Sequence, residues 1–120
     1  MATSEAPAVR HRDGVAVIDL AGDVNRAAEQ ALDAAWAKAT AEPADAVVLN
    51  FAEVGYINST GIALIVGILA KGRASGIEVR AYGLSPHYRE IFEITRLADF
   101  LAIEPDEESA VRGAEGSSDA

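Results

Sequence analysis

The sequence predicts a single α/β domain, a mixed central β-sheet of about five strands with helices packed against it. Three features carry that prediction. Extended, β-branched segments alternate with helical ones along the chain, and the short crossovers between them make the central strands parallel. The run Ala46-Val47-Val48-Leu49-Asn50-Phe51 is apolar almost throughout, the pattern of a strand covered on both faces. Of the 120 residues 50% are hydrophobic, enough for one core that buries about two-thirds of the surface an unfolded chain exposes.

In chain order, residues 1–7 are small and polar with a proline, and are expected to form a flexible arm before the domain proper at 8–112. Val9 to Arg12 and Val15 to Leu20 flank the turn pair Asp13-Gly14, which predicts a hairpin. Gly22 is expected to end the second strand. Asp23 and Asn25 offer caps to a helix over Arg26 to Thr40, in which Ala28, Leu32, Trp36 and Ala39 share one face. Glu42 and Pro43 close that helix before the buried strand Ala46 to Phe51.

Ala52 to Ile57 reads as a loop leading into Asn58-Ser59-Thr60-Gly61, a cluster of capping residues ahead of the apolar run Ile62 to Ala70. Lys71 and Arg73 near the end of that run, with Gly72 and Gly76 as stops, make it a second helix. Ile77 to Tyr82 alternates apolar and charged residues at first, as a strand with one wetter face does, and Gly83 ends it. Pro86 opens a third helix with Tyr88, Ile91, Phe92 and Ile94 on its apolar side. Leu101 to Ile103 extends again, and Pro105 to Arg112 forms a last short helix. The small, polar residues 113–120 are expected to be a disordered acidic tail.

The formal charge of −9, from 19 acidic against 10 basic residues, repels a phosphate backbone and argues against nucleic-acid or anionic-membrane binding. The longest apolar run is roughly half the length that crosses a bilayer, so no membrane insertion is expected. There are no cysteines, and the start of the chain lacks a signal-peptide pattern, which together predict a cytoplasmic protein. Two isolated histidines and scattered acids lack the paired spacing of a ligand set, so neither a metal nor a cofactor is expected. Asn58-Ser59-Thr60 is formally a glycosylation sequon, which the predicted compartment leaves unused.

The most informative stretch delivers two hydroxyls to the start of a buried helix. Ser59 can act there simply as the helix cap, with Gly61 allowing a close backbone turn. The same position is also where an added phosphate is best tolerated, because open backbone N–H groups and the positive end of the helix dipole face it. A hydrolase would need more. A nucleophile elbow calls for glycine two residues before the serine, where Ile57 stands, and neither His11 nor His87 has an identifiable third partner.

The Leu20-Ala21-Gly22-Asp23-Val24 turn, the strand ending at Phe51, the Asn58-Ser59-Thr60-Gly61 element, the apolar helix after it and Gly76-Ile77 at the next strand together resemble a STAS domain of the anti-sigma factor antagonist type. The resemblance spans Val9 to Ile103. It implies a STAS-like fold and a regulatory, non-enzymatic protein that transmits a signal to transcription through protein–protein interaction. It also implies that Ser59 is phosphorylated by a GHKL-type serine kinase that is itself an anti-sigma factor, that the unphosphorylated form binds this partner, and that a phosphatase resets the switch. Thr60 is a second acceptor, and the docking surface comprises Asp23, Asn25, Asn58, Ser59, Thr60, Gly61 and Ile62. Asn58 stands where the family usually has Asp, keeping a hydrogen-bonding side chain but losing the carboxylate. That departure makes a constitutive docking subunit, of a stress-sensing or lipid-transport assembly, the alternative, with a small serine hydrolase as the remote one. A homodimer remains open.

Overall fold

The computed structural model describes residues 7–113, so most of the expected arm and all of the expected tail beyond Gly113 lie outside the described residues. β1 (Ala8–Arg12) pairs antiparallel with β2 (Val15–Val24) in register Arg12 to Val15. The intervening Asp13 and Gly14 both have positive φ, 50° and 82°, as the tightest hairpin turn demands.

β2, β3 (Ala46–Ile57), β4 (Glu78–Tyr82) and β5 (Ala102–Glu104) run parallel, and the five strands lie side by side in the order of the chain. Every crossover therefore steps one strand in the same direction, and right-handed connections place their helices on one face. These helices are α1 (Glu29–Ala39), α2 (Ser59–Ser75) and α3 (Pro86–Ile94). Leu32, Trp36, Ile65, Ile68 and Phe92 from them form one core with Ala16, Ile18, Val47, Leu49, Val79 and Ala81 of the sheet. The first helix begins later than its sequence pattern indicates, because Asn25 caps a 3-10 turn over Arg26–Ala28 before α1 starts.

The other face is closed by α4 (Glu107–Arg112), whose Ala110 and Val111 cover Val15, Val17, Val48 and Tyr82. This corrects the expectation of a wetter face on β4. Arg80 is only 7% exposed, and its guanidinium donates to the carbonyls of Ala110 (2.9 Å) and Val111 (3.0 Å) and to the Glu78 carboxylate (3.0 Å). It thus satisfies carbonyls at the end of α4 that the helix itself leaves open. Gly113, placed by the sequence in the tail, packs flat on that guanidinium, where a side chain would collide with it.

Glu107 pins the start of α4 to the sheet. Its carboxylate accepts from Arg10 (3.0 Å), Arg12 (2.7 Å) and the Tyr82 hydroxyl (2.6 Å), while Arg10 also grips Asp19 (2.7 Å). The Arg10 hydrogen bond first, then those of Tyr82 and Arg12, hold Glu107 down at about 2. Burial first, and then the hydrogen bond to Glu107, push Tyr82 up to about 12.

Three further boundaries differ from the sequence reading, each through long-range packing. Gly72 does not stop α2. It faces the sheet, where a Cβ would lie 2.7 Å from the Ile77 carbonyl, and the helix runs on to a left-handed Gly76 (φ 72°). Gly22 does not end β2, and Ala52 to Ile57 is not a loop. Past Asn50, β3 has lost β4 as a neighbour yet continues against β2, pairing Ala21 with Glu53, Gly22 with Val54 and Val24 with Ile57. Two register shifts each leave an extra residue on β3, and Gly22 (φ 76°) absorbs the added twist.

Candidate functional site

The two-stranded extension of β2 and β3 ends where α2 begins, and this junction carries the residues singled out by sequence. Asn58, not Ser59, is the N-cap. It has an extended backbone (φ −90°, ψ −176°), and its side-chain oxygen accepts from the Gly61 N–H at 2.8 Å. The same amide position is tied to the ribbon, since the Asn58 N–H donates to the Val24 carbonyl at 3.3 Å. Reading Ser59 as the cap is thereby corrected by one residue.

Ser59 and Thr60 occupy the first two helical positions and are exposed. Among the described residues neither hydroxyl takes part in a hydrogen bond within the fold. Their backbone N–H groups belong to the first turn, which has no intrahelical acceptors, and they lie at the positive end of a 17-residue helix. The position joins an exposed hydroxyl to an electropositive, hydrogen-bond-donating end of backbone.

Gly61 is buried against the ribbon, where any side chain would drive into the Val24 carbonyl and the Ile57 side chain. Only glycine lets α2 start this close to β2. Ile62 is half-buried on the main core and serves packing more than display.

Asp23 and Asn25 reach the same end of the sheet. Asp23 Oδ1 accepts from the Tyr56 N–H at 3.1 Å, and Asn25 Oδ1 accepts from the Ala27 N–H at 2.9 Å. Both therefore do local structural work, and Asp23 holds the tip of the ribbon so that Tyr56 stands 61% exposed beside the helix start.

Sequence patterning missed two contributors. Tyr56 gave no signal, because its segment read as a loop. Tyr88 read only as part of an apolar helix face, yet its buried hydroxyl accepts from the Ile57 N–H (2.9 Å) and donates to the Ile57 carbonyl (3.5 Å). It clamps the chain one residue before Asn58. A tyrosine among apolar residues at that helix position is the one hint the sequence held.

His11 pairs across from Ala16 near the start of β2, at the end of the sheet opposite Ser59. His87 is exposed on α3 and stacks edge-on against Tyr88 at 4.9 Å. No hydrogen bond among the described residues joins either imidazole to the Ser59 hydroxyl. Among the described residues no group of three or more His, Asp or Glu side chains gathers as a cation site, and no helix is long and apolar enough to cross a membrane.

A mixed sheet with its strands in chain order, helices on one face, a returning C-terminal helix and a serine on the first turn of the central helix define a STAS domain. The sequence profile of the STAS domain matches residues 6–110, and the chain belongs to that family. BtrV of Bordetella bronchiseptica, provisionally named an anti-sigma factor antagonist, is 33% identical over 93 residues, 78% of each chain. The anti-sigma-B factor antagonist of Listeria monocytogenes is 36% identical over 55 residues, 46% of this chain and 48% of that one. Among solved structures, the unphosphorylated anti-sigma factor antagonist SpoIIAA superposes with a TM-score of 0.66 at 19% identity, covering 95% of this chain and 96% of that one. The phosphorylated form of Bacillus SpoIIAA superposes with 0.67 at 21% identity, covering 89% and 98%.

Proposed function

We infer that this protein is an anti-sigma factor antagonist whose docking surface is the start of α2 together with the tip of the β2–β3 ribbon, and whose switch is phosphorylation of Ser59. The partner is an anti-sigma factor that is also a serine kinase of the GHKL type, both proteins acting in the cytoplasm without catalysis by this chain. A phosphatase restores the unmodified form. The observation that carries the reading is the Ser59 hydroxyl itself, exposed and without a hydrogen-bond partner in the fold on the first turn of a long helix. The names of the relatives support the partner class.

A phosphate at Ser59 adds close to two negative charges and three acceptor oxygens at a helix end that favours anions, so the modified domain stays folded. What changes is the docking surface. Charge is placed where a partner packs, and burying it there without a cationic mate is unfavourable. Asn58 makes the cap with a neutral amide, so no carboxylate stands next to the phosphate.

Incubation with ATP and the GHKL-type kinase, followed by intact mass and peptide mapping, tests the modification. One phosphate on Ser59, absent in Ser59→Ala, is expected. The second reading, a docking module without a switch, rests on the observation that the Asn58 cap completes the helix start unaided, with no phosphate needed to order it. An unmodified protein that binds its partner stably in the presence of ATP would establish that reading and remove the switch.

A further inference from the structure

The geometry points to a second site on this domain, a cleft at the far end of α2 that binds a free amphiphilic carboxylate, an apolar chain of medium length with one anionic head. The cleft has a volume of about 510 Å³, inside the ~300–1,000 Å³ range of small-molecule sites. Val66, Leu69, Ile77, Val79, Leu97 and Phe100 line it. Val66 and Phe100 are 44% and 59% exposed, so large apolar side chains face its mouth uncovered.

Charge at the rim selects the head group. Glu78 is neutralised by Arg80 at 3.0 Å and Asp99 by Arg96 at 2.8 Å. Arg73 stands over the Phe100 ring, 5.7 Å from its centroid, and among the described residues meets no carboxylate. The single uncompensated charge on an apolar cleft is thus a guanidinium already held in place by an aromatic ring, with forked donors open to a carboxylate.

Other occupants match this chemistry poorly. A symmetric second copy would bring a second Arg73 into the same contact and no unpaired carboxylate from the cleft, because a two-fold interface uses the same patch twice. Outside the described residues, Met1 is the one large apolar side chain the sequence offers, too little to fill the cleft. The net charge of −9 opposes an anionic bilayer, so the ligand is a free monomer in solution.

The probe is octanoate below its micellar concentration, titrated into the full chain and followed by amide chemical shifts, with octanol as the uncharged comparison. Saturable shifts are expected at Leu69, Val79 and Leu97 and not at Ser59, roughly 15 Å from Leu69 along a helix rising 1.5 Å per residue. Arg73→Gln should weaken octanoate about tenfold and leave octanol unchanged, while Phe100→Ala weakens both. Both side chains are exposed, and dispersed spectra verify that the variants fold. No saturable shift, shifts centred elsewhere, octanoate binding indifferent to either substitution, or a concentration-dependent dimer that fills the cleft would each overturn the proposal. None of these outcomes depends on phosphorylation of Ser59.

Discussion

At Asn58 and Gly61 a single atom decides whether the helix start can form. Removing the Asn58 side chain strips the Gly61 N–H of its acceptor, so Asn58→Ala should lower stability by about 1 kcal/mol, whereas Asn58→Asp keeps the cap and should hold the melting temperature. Two glycines of the same helix make an internal comparison. Gly61→Ala forces a methyl group into the Val24 carbonyl and should destabilise by about 1–3 kcal/mol. Gly67 is exposed with open space around it, and Gly67→Ala should stabilise by about 0.5–1 kcal/mol because alanine loses less backbone entropy in a helix. Urea midpoints of the two variants, moving in opposite directions, check both. The sequence marked the cluster 58–61 correctly but assigned the cap to Ser59, since Asn and Ser are nearly equal as caps and only the paired ribbon fixes which residue is still extended.

Between elements, two tethers hold what local patterning could not show. Tyr88 of α3 closes the end of β3, and Tyr88→Phe leaves a buried Ile57 N–H without an acceptor, at a cost of about 1–3 kcal/mol. Faster hydrogen exchange at the Ile57 amide, with the Val48 amide unchanged, is the expected signature. On the opposite face Glu107 anchors α4. Its pKa is depressed from 4.5 to about 2 by Arg10, Tyr82 and Arg12, so the folded state gains from its ionisation above the unfolded value. That contribution is complete above about 4.5 and is lost as pH falls towards about 2. Glu107→Gln should therefore lower the urea midpoint at neutral pH and flatten its decline across that window. Residues 10, 19, 82 and 107 come from four separate elements, and no spacing in the chain announces their meeting.

For the molecule as a whole, the alternation of elements and the buried run Ala46 to Phe51 were sufficient to predict a five-stranded mixed sheet with helices on it. The strand order follows from short right-handed crossovers. What the sequence hid is the ribbon beyond Asn50, because Gly22 and Glu53 are poor strand formers that pair only by extending an existing ladder. That ribbon carries Asp23 and the exposed Tyr56 at its tip, at the end of the sheet where α2 begins. In the proposed function a partner reads the start of α2 and the ribbon tip, and phosphate on Ser59 breaks the contact. Its most direct test is the affinity of the GHKL-type anti-sigma kinase for the unmodified protein, the Ser59-phosphorylated protein and Ser59→Ala, measured by calorimetry. The unmodified protein and Ser59→Ala should bind alike, and the phosphorylated form more weakly by about tenfold or more, some 1.4 kcal/mol. Equal affinity for all three forms would contradict it.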